Sequence, residues 1–257
     1  MSSADAGGGF SAPRRSRIVP VLLACSAAGW VALVAVYLSP WSGAFEHRAL
    51  EHLGALHGVV AILAAGWVLM VVAMMLPTSL PLFASFGQLT ASRRDRGRLT
   101  AILVGGYLLG WAAIGVAMHV ADLGVHLLVD HWIWLESHEF VISAATLGLA
   151  GVYQFGALKE RCATRCRTPQ GFIRVHWQGR SAPADTARLA LGYTASCVGC
   201  CWALMLVMFA VGVGSIVWMA VLTVVMVAEK THAWGPALKT PVAVGLLAGA
   251  LVTLLAG

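Results

Sequence analysis

Residues 190–212 read ALGYTASCVGCCWALMLVMFAVG, a run without a single charged side chain. At about 1.5 Å of rise per residue, a helix of this length crosses the roughly 30 Å hydrocarbon core of a bilayer. A helix is the expected element because an unpaired backbone amide in lipid costs several kcal/mol, and a helix pairs these groups within itself. The stretch therefore predicts a transmembrane helix.

Similar apolar blocks occur along most of the 257-residue chain, which is 59% hydrophobic and 11% charged. A soluble domain typically carries about 25% charged residues, so a water-facing surface is largely missing. We predict an all-α, polytopic membrane helix bundle in the lipid bilayer, with one domain over 18–257 and a disordered cytoplasmic segment over 1–17. Seven spans are predicted, near 18–38, 57–76, 100–120, 139–158, 190–212, 215–230 and 240–256.

The basic residues are distributed unevenly between the two sides of this arrangement. Arg48 is the one exception among 17 lysines and arginines; all the others fall on one side, many of them in a loop over 159–189. The positive-inside rule makes that side cytoplasmic. We therefore expect a multi-pass protein of the plasma (inner) membrane, with its N-terminus inside and its C-terminus outside. The net charge of +6 is then a topology signal, and no nucleic-acid partner is expected.

Five of the six cysteines lie at the two ends of the basic loop. Cys162 and Cys166 follow the fourth span, and Cys197, Cys200 and Cys201 lie in the fifth. The cytosol keeps thiols reduced, which disfavours a structural disulfide. Metal binding, redox chemistry and simple burial remain open.

Helical spacing would align these cysteines in two stripes. No helix breaker is evident before Pro169, so the fourth helix is expected to continue past the membrane, with Lys159, Cys162 and Cys166 on one face. On the fifth helix, Cys201 and Met205 follow Cys197 along one face, with Cys200 beside them. Two helices joined by one loop can pack antiparallel and bring the stripes together.

Such a cluster of sulfur atoms has a definite metal preference. Thiolates and thioethers are soft ligands suited to Cu(I), and thiolates also suit Zn(II). The pattern predicts a site for a copper ion, or alternatively zinc, at the cytoplasmic end of the bundle. The alternative is that each cysteine is a small packing residue.

The second span contributes a methionine stripe that ends on the same side. Met70, Met74 and Met75 are candidate ligands, although methionine at helical spacing is also a common packing residue. Pro77 and Pro81 are expected to bound this helix.

An ionisable pair, Glu229 and Lys230, closes the sixth span. Such a pair is consistent with a simple interfacial anchor. Glu229 is also a candidate hard ligand or proton acceptor, and Lys159 or Lys230 would favour the thiolate form of a nearby cysteine.

The opposite side of the membrane is rich in histidine and carboxylate. Imidazole and carboxylate are ligands for Cu(II), Zn(II) or Ni(II), but loops on the outer side also collect such residues because lysine and arginine are disfavoured there. The best-spaced pairs are His126 with His131 and His119 with Asp122. Further candidates are Glu46, His47, Glu51, His52, His57, Asp130, Glu136, His138 and Glu139.

Three longer motifs contain most of these candidates. Together they resemble the DUF2182 family, which is described as predicted metal-binding integral membrane proteins, over roughly residues 57–235. The resemblance implies that the five clustered cysteines bind metal, but it implies no reaction. The motifs are Trp67-x-x-Met70-x-x-x-Met74-Met75-x-Pro77, then Tyr153-Gln154-x-x-x-Leu158-Lys159-x-x-Cys162-x-x-x-Cys166-Arg167-x-Pro169, and Gly192-x-x-x-x-Cys197-x-Gly199-Cys200-Cys201-Trp202-x-Leu204-Met205 followed by Met226-x-x-Glu229-Lys230.

The leading hypothesis is a membrane protein that handles or transfers copper, or zinc. On this hypothesis we expect the protein not to be an enzyme. A membrane thiol redox protein using the Cys197/Cys200 dithiol is a second hypothesis. A third is an assembly or scaffold subunit with packing cysteines. No nucleotide-binding or phosphorylation motif is present, so the expected partners are the metal ion and a metallochaperone or membrane partner subunit.

Overall fold

Nine α-helices and no strand make up the part of the chain that the computed structural model describes, residues 18–39, 56–132, 138–179, 181–211 and 215–256. The predicted all-α bundle is confirmed. The helices are α1 Ile18–Leu38, α2 Leu56–Leu89, α3 Arg96–His131, α4 Glu139–Tyr153, α5 Ala157–Arg167, α6 Pro169–His176, α7 Ala182–Val211, α8 Ile216–Thr231 and α9 Gly235–Ala256.

Five of these helices contain stretches long and apolar enough to cross a membrane: α1, α2, α3, α7 and α9. The bent pair of α4 and α5 supplies a sixth if it is taken as one broken span. The predicted span near 215–230 corresponds to α8, whose 16 residues extend about 24 Å and fall short of a roughly 30 Å hydrocarbon core. Exposed apolar side chains on α3 and α9, such as Leu128, Leu251 and Leu255, suit contact with lipid.

The prediction of one continuous helix from the fourth span to Pro169 is wrong. The chain leaves the helix after Tyr153, and α5 continues at an angle of 64° to α4. Gly156, which precedes α5, has an extended backbone, and glycine is among the poorest helix formers. The bend lays α5 against the end of the bundle, so the segment 159–189 is mostly helical and not a simple loop.

The expectation that Pro77 and Pro81 bound the second helix is also wrong, because α2 passes through both and ends at Leu89. A proline inside a helix leaves the carbonyl four residues earlier without its usual donor. The carbonyl of Ala73, four residues before Pro77, accepts a hydrogen bond of 2.8 Å from Ser26 Oγ on α1. A neighbouring helix thus satisfies the group that Pro77 leaves free.

Small residues set the register between α3 and α7, which run parallel. Gly106 faces Ala190 and Gly110 faces Thr194 so closely that a Cβ on either glycine would lie 2.8 Å from its neighbour. Close approach at glycine is the usual way that membrane helices gain packing contacts. This register brings the third and seventh helices together at the level of the cysteines.

Candidate functional site

Helices α5 and α7 bring the two groups of cysteines together. The sulfur atoms of Cys166 on α5 and Cys200 on α7 are 3.9 Å apart. We refer to the five buried residues Cys162, Cys166, Cys197, Cys200 and Cys201 as the thiol cluster; all five are free thiols.

The inward face of α5 follows the spacing of its sequence. Lys159, Cys162 and Cys166 are buried, whereas Arg161 and Arg165 are exposed. A Cβ on Gly199 of α7 would lie 2.6 Å from Cys162 Sγ, so a larger residue there would displace this sulfur. Although α5 is not a continuation of α4, its helical periodicity still places Cys162 and Cys166 on the face that packs against the bundle.

On α7, the three cysteines face different neighbours. The thiols of Cys200 and Cys201 donate to the carbonyl of Cys197 at 3.0 and 2.9 Å. Cys201 Sγ also lies 4.0 Å from Met75 Sδ on α2, which joins a thioether to the thiol cluster.

The side chain of Lys230 enters the thiol cluster from α8. Its ammonium group donates to Cys197 Sγ at 3.1 Å and to Thr78 Oγ1 at 3.2 Å, and lies 4.0 Å from Cys201 Sγ. The residue is only 4% exposed. A buried cation in a membrane protein is expensive and typically marks a functional site. Here it supplies positive charge next to groups that become anionic as thiolates.

Glu229, next to Lys230 on α8, pairs with the second buried lysine, Lys159. Lys159 Nζ lies 2.7 Å from Glu229 Oε2, and both side chains are buried. The other carboxylate oxygen, Oε1, is buried and has no hydrogen-bond partner within the described ranges. Arg167 donates to the main-chain carbonyl of Glu229 at 3.3 Å, which ties α5 to α8 a second time. The ligand role of Glu229 stays a prediction.

The structure separates the four candidate methionines. Met75 contacts the thiol cluster, while Met70, Met74 and Met205 lie in the same buried core. Met205 follows Cys201 by one helical turn, about 6 Å along α7, and Met70 lies about 7.5 Å from Met75 along α2. Within the described residues, the sulfur–sulfur contact between a candidate methionine and the cluster is that of Met75, and the other three are core residues.

Sequence reasoning missed the hydroxyl groups around Cys197. Tyr107 Oη on α3 lies 3.3 Å from Cys197 Sγ and accepts a hydrogen bond from Ser79 Oγ at 2.9 Å. In the sequence, Tyr107 stands out as a tyrosine in a glycine-rich apolar span. Periodicity alone does not distinguish a functional tyrosine there from a packing residue. Thr78 and Ser79 were not predicted as site residues because the second helix was expected to be bounded by Pro77 and Pro81.

The histidines of the opposite side are only partly described. His119 Nδ1 lies 2.8 Å from the carbonyl of Gly115, and its ring packs edge-on against Trp67. The first outer loop, with Glu46, His47, Glu51 and His52, lies outside the described residues, as do Glu136 and the side chains of His57, His126, Asp130 and Glu139. Metal binding on this side therefore stays a prediction.

The thiol cluster is compact but not arranged as a ready-made polydentate site. Within the residues that the structure places, no three His, Cys, Asp or Glu side chains already form a set that could hold a metal ion. Two sulfurs that lie 3.9 Å apart are instead supplied by two different helices, Cys166 from α5 and Cys200 from α7. Such a pair suits a metal that accepts few ligands.

Comparison with known proteins points to the same chemistry. A family model described as "PpoB2: Copper chaperone" matches residues 64–253, which include the whole thiol cluster and both buried lysines. No curated protein and no solved structure matches the chain. The family name differs from DUF2182, although both descriptions concern metals.

Proposed function

Because this chain belongs to the PpoB2 family of copper chaperones, we propose that it is a multi-pass membrane protein that binds Cu(I) at the thiol cluster and passes it on by ligand exchange. Copper is the cargo in this proposal and not a resident cofactor. The observation that carries it is the distance of 3.9 Å between the buried sulfurs of Cys166 and Cys200.

This distance suits one ion held between two sulfurs. With metal–sulfur bonds of about 2.3 Å, two sulfurs on opposite sides of an ion lie about 4.6 Å apart. The observed pair reaches that separation with a shift of about 0.7 Å, which side-chain rotation can supply. Zinc takes four ligands in structural sites, so a two-sulfur pair favours Cu(I) over zinc.

Neighbouring donors support transfer of the ion. Cys197 and Cys201 lie next to Cys200 on α7, and Met75 lies against Cys201, so a new Cu–S bond can form as an old one breaks. A cysteine that takes up the ion releases its thiol proton, the cysteine that gives it up is reprotonated, and copper remains Cu(I) throughout. A Cu(I) ion with two thiolates carries one net negative charge. The ammonium group of Lys230 offsets that charge inside the bundle, where an uncompensated charge is costly.

Metal analysis of the detergent-purified chain tests the proposal. Protein loaded with Cu(I) under anaerobic, reducing conditions is expected to retain copper against a chromophoric chelator. Cys166→Ser and Cys200→Ser are each expected to lose it, whereas Cys25→Ser, which changes an exposed cysteine on α1, is expected to keep it. Equal copper retention in all three variants, or retention of zinc in preference to copper, would refute the proposal.

A dithiol redox function is the second candidate, and the structure favours a different pair from the predicted Cys197/Cys200. The thiol of Cys200 donates to the Cys197 carbonyl, and its sulfur lies 3.9 Å from that of Cys166. Reversible cycling of Cys166 and Cys200 between thiol and disulfide, in protein that binds no copper, would select this function.

A further inference from the structure

An apolar groove opens between α3 and α7 on the surface of the bundle. Its volume is about 360 Å³, and every residue that lines it is glycine, alanine, leucine or isoleucine. The α3 side includes Ala101, Gly105 and Leu109, and the α7 side consists of Ala187 and Leu191. The two leucines are 72% and 61% exposed, so the groove faces the surroundings of the bundle and not its core.

The groove has the length of one membrane leaflet. Both α3 and α7 contain stretches long and apolar enough to cross a bilayer, so the groove is surrounded by lipid. From Ala101 to Leu109 the groove extends about 12 Å along α3, and half of the hydrocarbon core is about 15 Å. An apolar groove of this length and depth suits the acyl chain of a lipid.

Two neighbouring glycines give the groove its shape. A Cβ on Gly106 would lie 2.8 Å from Ala190, so the two helices touch along this line. A Cβ on Gly105 would meet nothing within 4 Å among the residues that the structure describes. The helices are therefore in contact at the back of the groove and leave open space at its front.

Two arginines lie at the end of the groove where the basic residues gather. Arg98 precedes Ala101 by three residues and Gly105 by seven, which places it on the groove side of α3. Arg188 precedes Leu191 by three residues and has the same relation to the groove on α7. Both arginines are exposed.

The two arginines point towards the same membrane surface. Measured from the contact of Gly106 with Ala190, Arg98 lies about 12 Å and Arg188 about 3 Å towards the N-termini, a difference in depth of about 9 Å. Helical side chains point towards the N-terminus of their helix, and a long arginine side chain extends further to reach the headgroup region. The side chain of Arg188 therefore reduces this difference.

Arg188 keeps its charge available to a ligand. Its guanidinium lies 4.0 Å from Oδ1 of Asp185, yet its side chain is 67% exposed. The other carboxylate oxygen, Oδ2, accepts hydrogen bonds of 3.1 and 2.8 Å from the main-chain amides of Gln178 and Gly179. The carboxylate is thus held by main-chain donors and leaves most of the guanidinium open to the membrane surface.

We propose that this groove binds an anionic phospholipid, with an acyl chain in the groove and the phosphate of the headgroup held by Arg98 and Arg188. Guanidinium groups bind phosphate through charge-assisted hydrogen bonds, and basic pockets between membrane helices select anionic headgroups. A zwitterionic lipid brings a cationic group next to the arginines, and free phosphate has no chain to fill the groove. The site involves no copper and is independent of the proposed function.

Native mass spectrometry of the full-length chain in detergent tests this site. The chain is given equal amounts of phosphatidylglycerol and phosphatidylcholine with the same acyl chains, and the wild type is expected to retain phosphatidylglycerol in preference. An arginine near the membrane surface strengthens the binding of an anionic lipid about fivefold, so Arg98→Gln combined with Arg188→Gln is expected to weaken it about 25-fold. Arg161→Gln combined with Arg165→Gln, which removes two exposed arginines of α5, is the matched control and is expected to behave as the wild type.

A second variant tests the groove and keeps both arginines. Gly105→Leu fills the open space and is expected to abolish the retention of phosphatidylglycerol, because the acyl chain is excluded. Gly245→Leu, at a glycine of α9 that also borders open space, is its control and is expected to retain the lipid. Thermal unfolding in detergent is expected to give the wild-type Tm for every variant, which shows that the variants are folded.

Several results would overturn the inference. Equal retention of the two lipids by the wild type would remove the selectivity, and an equal loss in both double-arginine variants would show only general surface charge. Retention of phosphatidylglycerol by Gly105→Leu would place the lipid outside the groove. Displacement of the lipid by inorganic phosphate at the same concentration would show an anion site without an acyl chain.

Discussion

Replacing Glu229 with glutamine removes one charge from the buried pair that connects α5 to α8. Lys159 Nζ and Glu229 Oε2 are 2.7 Å apart, and the two side chains are 6% and 8% exposed. The substitution keeps the size of the side chain and leaves the lysine buried without its counter-charge. We therefore expect a loss of stability that exceeds the loss of an ordinary hydrogen bond.

The magnitude follows from the distance and the burial. At an effective dielectric constant of about 20, the attraction at this distance is about 6 kcal/mol, and the removal of both ions from water offsets most of it. Loss of one partner alone typically costs about 3–5 kcal/mol. For a chain of this size, each kcal/mol lowers the Tm by about 2–4 °C, so the expected decrease is about 6–20 °C.

Thermal unfolding in detergent, followed by circular dichroism, measures this effect. Lys159→Met combined with Glu229→Gln removes both charges and is expected to recover a large part of the lost stability, with a coupling between the two sites of at least about 1 kcal/mol. Asp95→Asn, which breaks the exposed pair of Arg93 and Asp95, is the control and is expected to change stability by no more than about 1 kcal/mol. If Glu229→Gln and Asp95→Asn shift the Tm equally, the reasoning from burial is incorrect.

Two further predictions concern the thiol cluster. Mild oxidation of the copper-free chain is expected to join Cys166 to Cys200 in a disulfide, because their sulfurs are 3.9 Å apart. Bound Cu(I) is expected to block this disulfide. Peptide mass spectrometry identifies the linked cysteines, and a different linkage would contradict the assigned geometry. Gly199→Ala is expected to weaken Cu(I) binding in a chelator competition by displacing Cys162, since its Cβ would lie 2.6 Å from that sulfur. Gly245→Ala adds a Cβ in open space and is expected to leave the affinity for Cu(I) unchanged. Equal affinities in the Gly199→Ala and Gly245→Ala variants would contradict the prediction for Gly199→Ala.

Sequence periodicity predicted part of the site because helices repeat regularly. Spacing of three and four residues placed Lys159, Cys162 and Cys166 on one face of α5, and all three are buried in the structure. The same reasoning failed where a neighbouring segment decides the outcome. Ser26 of α1 donates to the carbonyl of Ala73, which Pro77 leaves without its helical donor, and so allows Pro77 to lie within α2. This hydrogen bond joins residues that are 47 positions apart in the sequence.

The sequence by itself determined that this chain forms apolar helices and where most of them lie. The physical reason is local: in lipid each backbone amide must pair within its own segment, so composition over about 20 residues decides the element. It also placed the cysteines at the end where the basic residues gather.

Only the tertiary structure decided which side chains surround the sulfurs. Cys197 meets Tyr107 and Lys230 because close contacts at glycine, such as Gly106 against Ala190, set how far one helix is shifted along another. That shift depends on the shapes of two surfaces distant in sequence, and the periodicity of a single helix carries no information about it.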